Sequence, residues 1–238
     1  MSLSLKKNAF IGGVAALLFA LPAYANVNKS VKIADGATST GASSVNGSVT
    51  VGDNATVTGD LTTVNGSIRV GEGSSIEAAT TVNGGLRISK NVKAEDLDTV
   101  NGAIKMAEGV EVSGSVSAVN GSISLKQGGS VAKSLSNVNG DITLIGSTVG
   151  DDVSTVNGDV SVMDGAVING DLRIEKSRGN SSRDSKDPII TIGPGSRVEG
   201  VIDLERKVKL YISDTAEVGG VTGVMSMDDA IRFSGNRP

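Results

Sequence analysis

TVNGSIRVGEGSSIEAATTVNG, residues Thr63 to Gly84, holds one full period of the chain and the start of the next. Val-Asn-Gly returns seven times between Val45 and Gly158, its asparagines at Asn46, Asn65, Asn83, Asn101, Asn120, Asn139 and Asn157, each 18 or 19 residues from the last. A fixed period of this length marks a unit that cannot bury its apolar side alone and is stable only when stacked on its neighbours. One period divides into three pieces, NGSIRV, GEGSSI and EAATTV. Most pieces end in alternating apolar, often β-branched residues and begin on a small or turn-forming one, which favours strands over helices. Sides of roughly 20 Å or less suit a coil of triangular section, and stacking such coils ~4.8 Å apart pairs each strand in parallel with its equivalents above and below.

The expectation is an all-β fold: a single-stranded parallel β-helix, a three-sided solenoid of about ten coils of 18–19 residues forming a rod of roughly 45–50 Å. Asn-Gly between apolar runs is also a hairpin signal, because a type I′ turn needs positive φ at both central residues. An antiparallel meander, however, has no reason to keep an 18–19-residue period with two further corners inside it. Stacked coils do, if each asparagine amide bonds to the next in a ladder and the glycine after it takes a left-handed corner. The seven asparagines are thus the expected structural corner ladder. The alternation turns inward Val49/Val51, Ile68/Val70, Leu86/Ile88, Ile104/Met106, Ile123/Leu125 and Ile142/Leu144 on the first side. At the end of the third side it suggests Val45, Val64, Val82, Val100, Val119, Val138 and Val156 as a second inward column.

Ahead of the repeats, Lys6 and Lys7, an apolar run from Ala9 to Leu21 and Ala23-Tyr24-Ala25 read as a secretory signal peptide, residues 1–25, cleaved after Ala25. The run is short of the roughly 20 residues needed to span a bilayer. The expected destination is the periplasm or the outside of the cell, with no transmembrane segment after cleavage. No cysteine is present, so neither disulfides nor thiolate metal sites enter. Without the two leader lysines, 20 basic residues face 26 acidic ones, and the aromatics outside the leader are Tyr211 and Phe233. An acidic chain nearly free of rings argues against nucleic acid and against ring-lined sugar clefts.

The outward positions of the first side are Lys32, Thr50, Arg69, Arg87, Lys105, Ser124, Thr143 and Ser161. Lys32, Arg69, Arg87 and Lys105 are the candidate ligand contacts, a basic ladder for an anionic glycan or lipid; the competing reading is a solvated face whose charges discourage sheet association. Asp141 and Asp159 take equivalent places in successive coils, where calcium could relieve their repulsion, but the calcium-binding nonapeptide repeat is absent and two screened aspartates are the simpler reading. No metal and no cofactor are expected. Glu175 to Asp187, EKSRGNSSRDSKD, reads as a polar loop inserted at 175–187, a contact segment or a tolerated insertion. The β-helix is thus expected over 26–224, with 225–238 a cap or tail.

Units such as Thr63 to Val70 and Thr155 to Val162 resemble the bacterial adhesin-repeat β-helix family. Ile192 to Val221, IGPGSRVEGVIDLERKVKLYISDTAEVGGV, is similar to bactofilins, cytoskeletal proteins that associate end to end, although those lack an export signal. The resemblance implies a right-handed coil; spacing alone does not set the hand. Ile192 to Val198 also resembles the hexapeptide repeat of left-handed acyltransferases, yet those use a histidine base and this chain has no histidine. The functional expectation is an exported, non-catalytic structural or interaction protein of the bacterial envelope, a rigid solenoid that self-associates through its ends or faces or acts as an adhesin. The alternative is a binding module for an anionic glycan or lipid.

Overall fold

The computed structural model describes residues 27–176 and 187–238. The expected leader, and residues 177–186 of the expected insertion, lie outside the described residues. The chain is an all-β solenoid of about ten turns in which every strand pairing is parallel, and three sheets form its faces. The first face is an 11-stranded sheet running from Val31–Ile33 to Ile231–Phe233. The second carries two-residue strands in groups of two and seven, joined through the bridges Thr56 to Ser75 and Ser75 to Lys93. The third is a 10-stranded sheet. Each strand sits over the one a period earlier: Val49 over Val31, Ile68 over Val49, Leu86 over Ile68. Parallel stacking at this spacing excludes the meander.

One aliphatic cluster fills the hollow from Ile33 to Ile212. On the first face Val49, Val51, Ile68, Leu86, Ile104, Ile123 and Ile142 are buried, as the alternation predicts. Each such side chain is worth ~1.5–3 kcal/mol against exposure, so the columns are the main source of stability. Residues 225–238 contribute a 3₁₀ turn, Met227–Asp229, and the strand Ile231–Phe233, which adds a rung over Lys209–Ser213.

Two expectations about the Val-Asn-Gly corner fail. The valines are not inward: Val64, Val82, Val100, Val119, Val138 and Val156 are only half-buried, and so is Val45. The buried residue is the one before each valine: Ser44, Thr63, Thr81, Thr99, Ala118, Asn137 and Thr155. The reason is a demand for hydrogen bonds. In five of the seven coils the carbonyl near the coil's start accepts from the hydroxyl or amide at its end; Ala118 carries no donor, and the Thr155 hydroxyl makes no hydrogen bond. Ser44 donates to Lys29 O at 2.8 Å, Thr63 to Gly47 O at 2.8 Å, Thr81 to Gly66 O and Thr99 to Gly84 O at 2.9 Å. A valine there would leave a buried acceptor without a donor.

Nor is the glycine of this corner generally left-handed. Among the seven, Gly140 (129°) and Gly158 (147°) have positive φ; the values near 60° lie at the corner between first and second faces, at Gly36 (66°), Asn54 (54°), Gly73 (66°), Asn91 (55°) and Gly109 (69°). At Val-Asn-Gly the glycines permit close stacking: a Cβ on Gly66, Gly84, Gly102 or Gly121 would fall within 3 Å of the carbonyl oxygen of the glycine one coil earlier. Backbones this near admit no side chain.

Candidate functional site

With an aliphatic interior, chemistry on this molecule is confined to its outward columns. At the third corner the asparagines form a continuous ladder. Asn46 Nδ2 donates to Asn28 Oδ1 at 2.6 Å, and Asn65, Asn83, Asn101, Asn120, Asn139 and Asn157 each donate to the asparagine below at 2.7–3.0 Å. The ladder ends where Arg206 Nη1 donates to Asn157 Oδ1 at 3.0 Å, capping its last acceptor. These amides consume one another's polar groups, so the column is a structural seam. Beside it, on the third face, the outward valines stand in register with a column of hydroxyls, Thr62, Thr80, Ser117, Ser136 and Ser154, which Asp98 interrupts.

The basic residues occupy the first face. Register places Lys32 beside Thr50, Thr50 beside Arg69, Arg69 beside Arg87, Arg87 beside Lys105 and Lys105 beside Ser124. Arg69, Arg87 and Lys105 therefore stand on three consecutive rungs, ~4.8 Å apart, while Lys32 is separated from them by Thr50. All four are exposed, whereas Thr50, Ser124 and Thr143 in the same column are half-buried. Ser67, Gly85 and Ala103 precede the three cations on the face, and Gly71, Ser89 and Ala107 follow them.

Lys90, Lys93, Arg173 and Arg197, on other parts of the surface, have carboxylate partners. Lys90 meets Glu108 at 2.9 Å and Lys93 meets Glu111 at 3.6 Å; Arg197 lies between Glu199 and Glu217; Arg173 bridges Asp152 at 2.9 Å and Asp171 at 2.6 Å. Partial burial alone would raise the Asp171 carboxyl, but the Val201 N–H and the Arg173 guanidinium outweigh it and hold the group below its usual range. Asp98 goes the other way. Burial pushes its carboxyl up and Asp96 adds to this, against a short hydrogen bond from Ser117 Oγ. Composition and periodicity gave no sign of this group; an acid in a hydroxyl column was the available signal.

Asp141 and Asp159 do not face each other as a cation cage. Asp141 Oδ1 accepts from Asp159 N at 3.0 Å, and Asp159 Oδ1 accepts from Ile189 N at 2.8 Å. Asp53, Asp96, Asp152 and Asp171 do the same elsewhere, each capping a backbone N–H of the coil above. Among the described residues no three or more His, Cys, Asp or Glu side chains converge as a metal would require. No described helix is long and apolar enough to cross a membrane. The second face carries a shallow depression of about 430 Å³, lined by Ser75, Glu77, Lys93, Glu95, Glu111 and Ser113 among others. No protein-family model, curated protein or solved structure matches the chain.

Proposed function

We propose that the chain is an exported, non-catalytic scaffold of the bacterial cell envelope, a stiff rod that acts by presenting its faces and ends to a partner or to further copies of itself. The observation carrying this reading is the continuity of the columns. Aliphatic, amide and hydroxyl side chains repeat rung after rung, so the molecule's surface is a set of periodic stripes along a rod. Such a body resists bending because each coil is bonded to the next on three faces. The leader-like residues 1–25 and the resemblance to adhesin-repeat and bactofilin chains support the same reading, the first for export and the second for interaction or assembly.

Cell fractionation with mass measurement of the chain, followed by negative-stain microscopy and sedimentation of the purified protein, tests it. The expected result is a chain cleaved after Ala25 outside the cytoplasm, seen as short rods that stand alone or join end to end. An uncleaved chain retained in the cytoplasm overturns the reading.

A further inference from the structure

We propose that Arg69, Arg87 and Lys105 form a binding site for a linear acidic polysaccharide, which lies along the rod axis with its carboxylates on successive rungs. The inference builds on the scaffold reading and names the partner of one face. Register sets the three cations in a line with nothing between them. Like charges directly opposite on neighbouring strands repel, so a sheet gains nothing from this arrangement by itself. Among the described residues no carboxylate forms an ion pair with any of the three, although such pairs occur at both corners of the second face and along it. The chain as a whole carries a net charge of −4, so a polyanion is attracted only where cations gather.

The surroundings select the kind of anion. Ser67, Gly85 and Ala103 on one flank and Gly71, Ser89 and Ala107 on the other leave a low floor from which the long side chains rise, open at both ends of the row. All three side chains stand exposed on an open face, so useful affinity requires one molecule to engage several rungs at once, as a polymer does. Two of the three cations are arginines, whose planar fork donates two parallel hydrogen bonds to a carboxylate. A membrane surface fits less well, since neither flank offers an aromatic or large aliphatic side chain to enter the lipid interface. Lys126, one rung beyond Lys105 and displaced toward the corner, extends the positive field in the same direction.

Calorimetric titration of the purified protein with polygalacturonate, with its fully methyl-esterified form, with inorganic polyphosphate and with phosphatidylglycerol vesicles tests the assignment. Polygalacturonate is expected to bind, with affinity falling as salt rises, and the neutral ester is expected not to. The combined variant Arg69→Ser, Arg87→Ser, Lys105→Ser should lose at least about tenfold in affinity. Its melting temperature should not fall, because serine already occupies this column at Ser124 and Ser161. The control variant Lys93→Ser, Lys133→Ser should bind as before. Retained affinity in the triple variant, polyphosphate binding as tight as polygalacturonate, or binding to vesicles without binding to the polysaccharide each overturns the proposal. Any of these leaves the rod seen by microscopy, and with it the scaffold reading, intact.

Discussion

Thr99 and Thr155 end their coils at the same place, yet opposite outcomes are expected when each hydroxyl is replaced by a methyl. Thr99 donates to Gly84 O at 2.9 Å. The equivalent acceptor for Thr155 is Gly140 O, and the buried Asn137 amide already takes it at 2.7 Å while also reaching Gly121 O, so the Thr155 hydroxyl has no partner. Thr99→Val should lower unfolding free energy by about 1 kcal/mol, and the isosteric Thr155→Val should raise it by a similar amount. Urea melts that move both variants the same way would refute the account. Sequence alone misplaces this column because Thr-Thr-Val fits either phase of a strand, and hydrophobicity turns the valine inward. What decides the phase is a carbonyl across the corner, which no local pattern displays. Asp98 gives a pH test. Its folded-state proton affinity is raised by burial, with a contribution from Asp96, so the folded chain holds that proton more tightly than the unfolded chain. Stability is therefore lost as pH rises from the unfolded value near 3.9 through the raised folded one. Asp98→Asn keeps an acceptor for Ser117 and removes the half-buried charge. It should raise the melting temperature at pH 7, with the gain fading toward pH 3 in paired thermal melts.

At the scale of the element, the two glycine-bearing corners answer to different physics and should respond differently to substitution. Gly36 has φ of 66° with nothing within 4 Å of an added Cβ, and the same corner carries Asn54 and Asn91 at φ of 54° and 55°. Gly36→Asn should therefore shift stability by less than about 1 kcal/mol, since asparagine tolerates the left-handed region. At Gly102 an added Cβ would collide with Gly84 O, part of a stacked backbone that cannot move independently of its coil. Gly102→Ala should destabilise by about 1–3 kcal/mol, the usual range for overpacking. Differential scanning calorimetry separates the two, and equal losses would show that φ governs both corners. The asparagine ladder was legible because its period equals the coil's, so spacing alone stacks the amides. The glycine's role was not, because the approach of two backbones 18 or 19 residues apart is set by the closed coil. The basic column was legible in the same way as the ladder, as three outward positions one period apart. Its lack of carboxylate partners needed the structure. If the row is held against its own repulsion, Arg87→Thr should raise the melting temperature by roughly 1–3 °C at low ionic strength, and salt should erase the gain.

The whole molecule is a stack in which each coil touches its two neighbours, so its integrity depends on keeping the period more than on any particular coil. Asn83, Asn101, Asn120 and Asn139 are linked in sequence by their amides, and the strands between them pair with equivalents one coil away. Removing residues 102–120 joins Asn101 to Gly121 and leaves a step of 19 residues from Asn101 to Asn139, the same step found elsewhere. Leu86–Ile88 would then lie under Ile123–Leu125, and Asp96–Asn101 beside Leu135–Asn139, with every inward column unbroken. One nearest-neighbour interface is lost and no register is disturbed, so the shortened chain should fold cooperatively and melt a few degrees lower. Removing residues 102–110 instead joins Asn101 to Glu111, so that a second-face strand follows the third corner and the aliphatic columns no longer meet. That chain should lose its cooperative transition or aggregate, although it lacks fewer residues. Circular dichroism melts with sedimentation of the two deletions make the comparison. If the half-period deletion folds as well as the full-period one, the columns do not act as a continuous stack and the rod is not what holds the chain together. The full-period deletion also takes Lys105 and leaves Arg69 and Arg87 beneath Ser124. A shortened rod that folds but binds polygalacturonate more weakly would then place the loss in the row of cations, with the scaffold that carries it still standing.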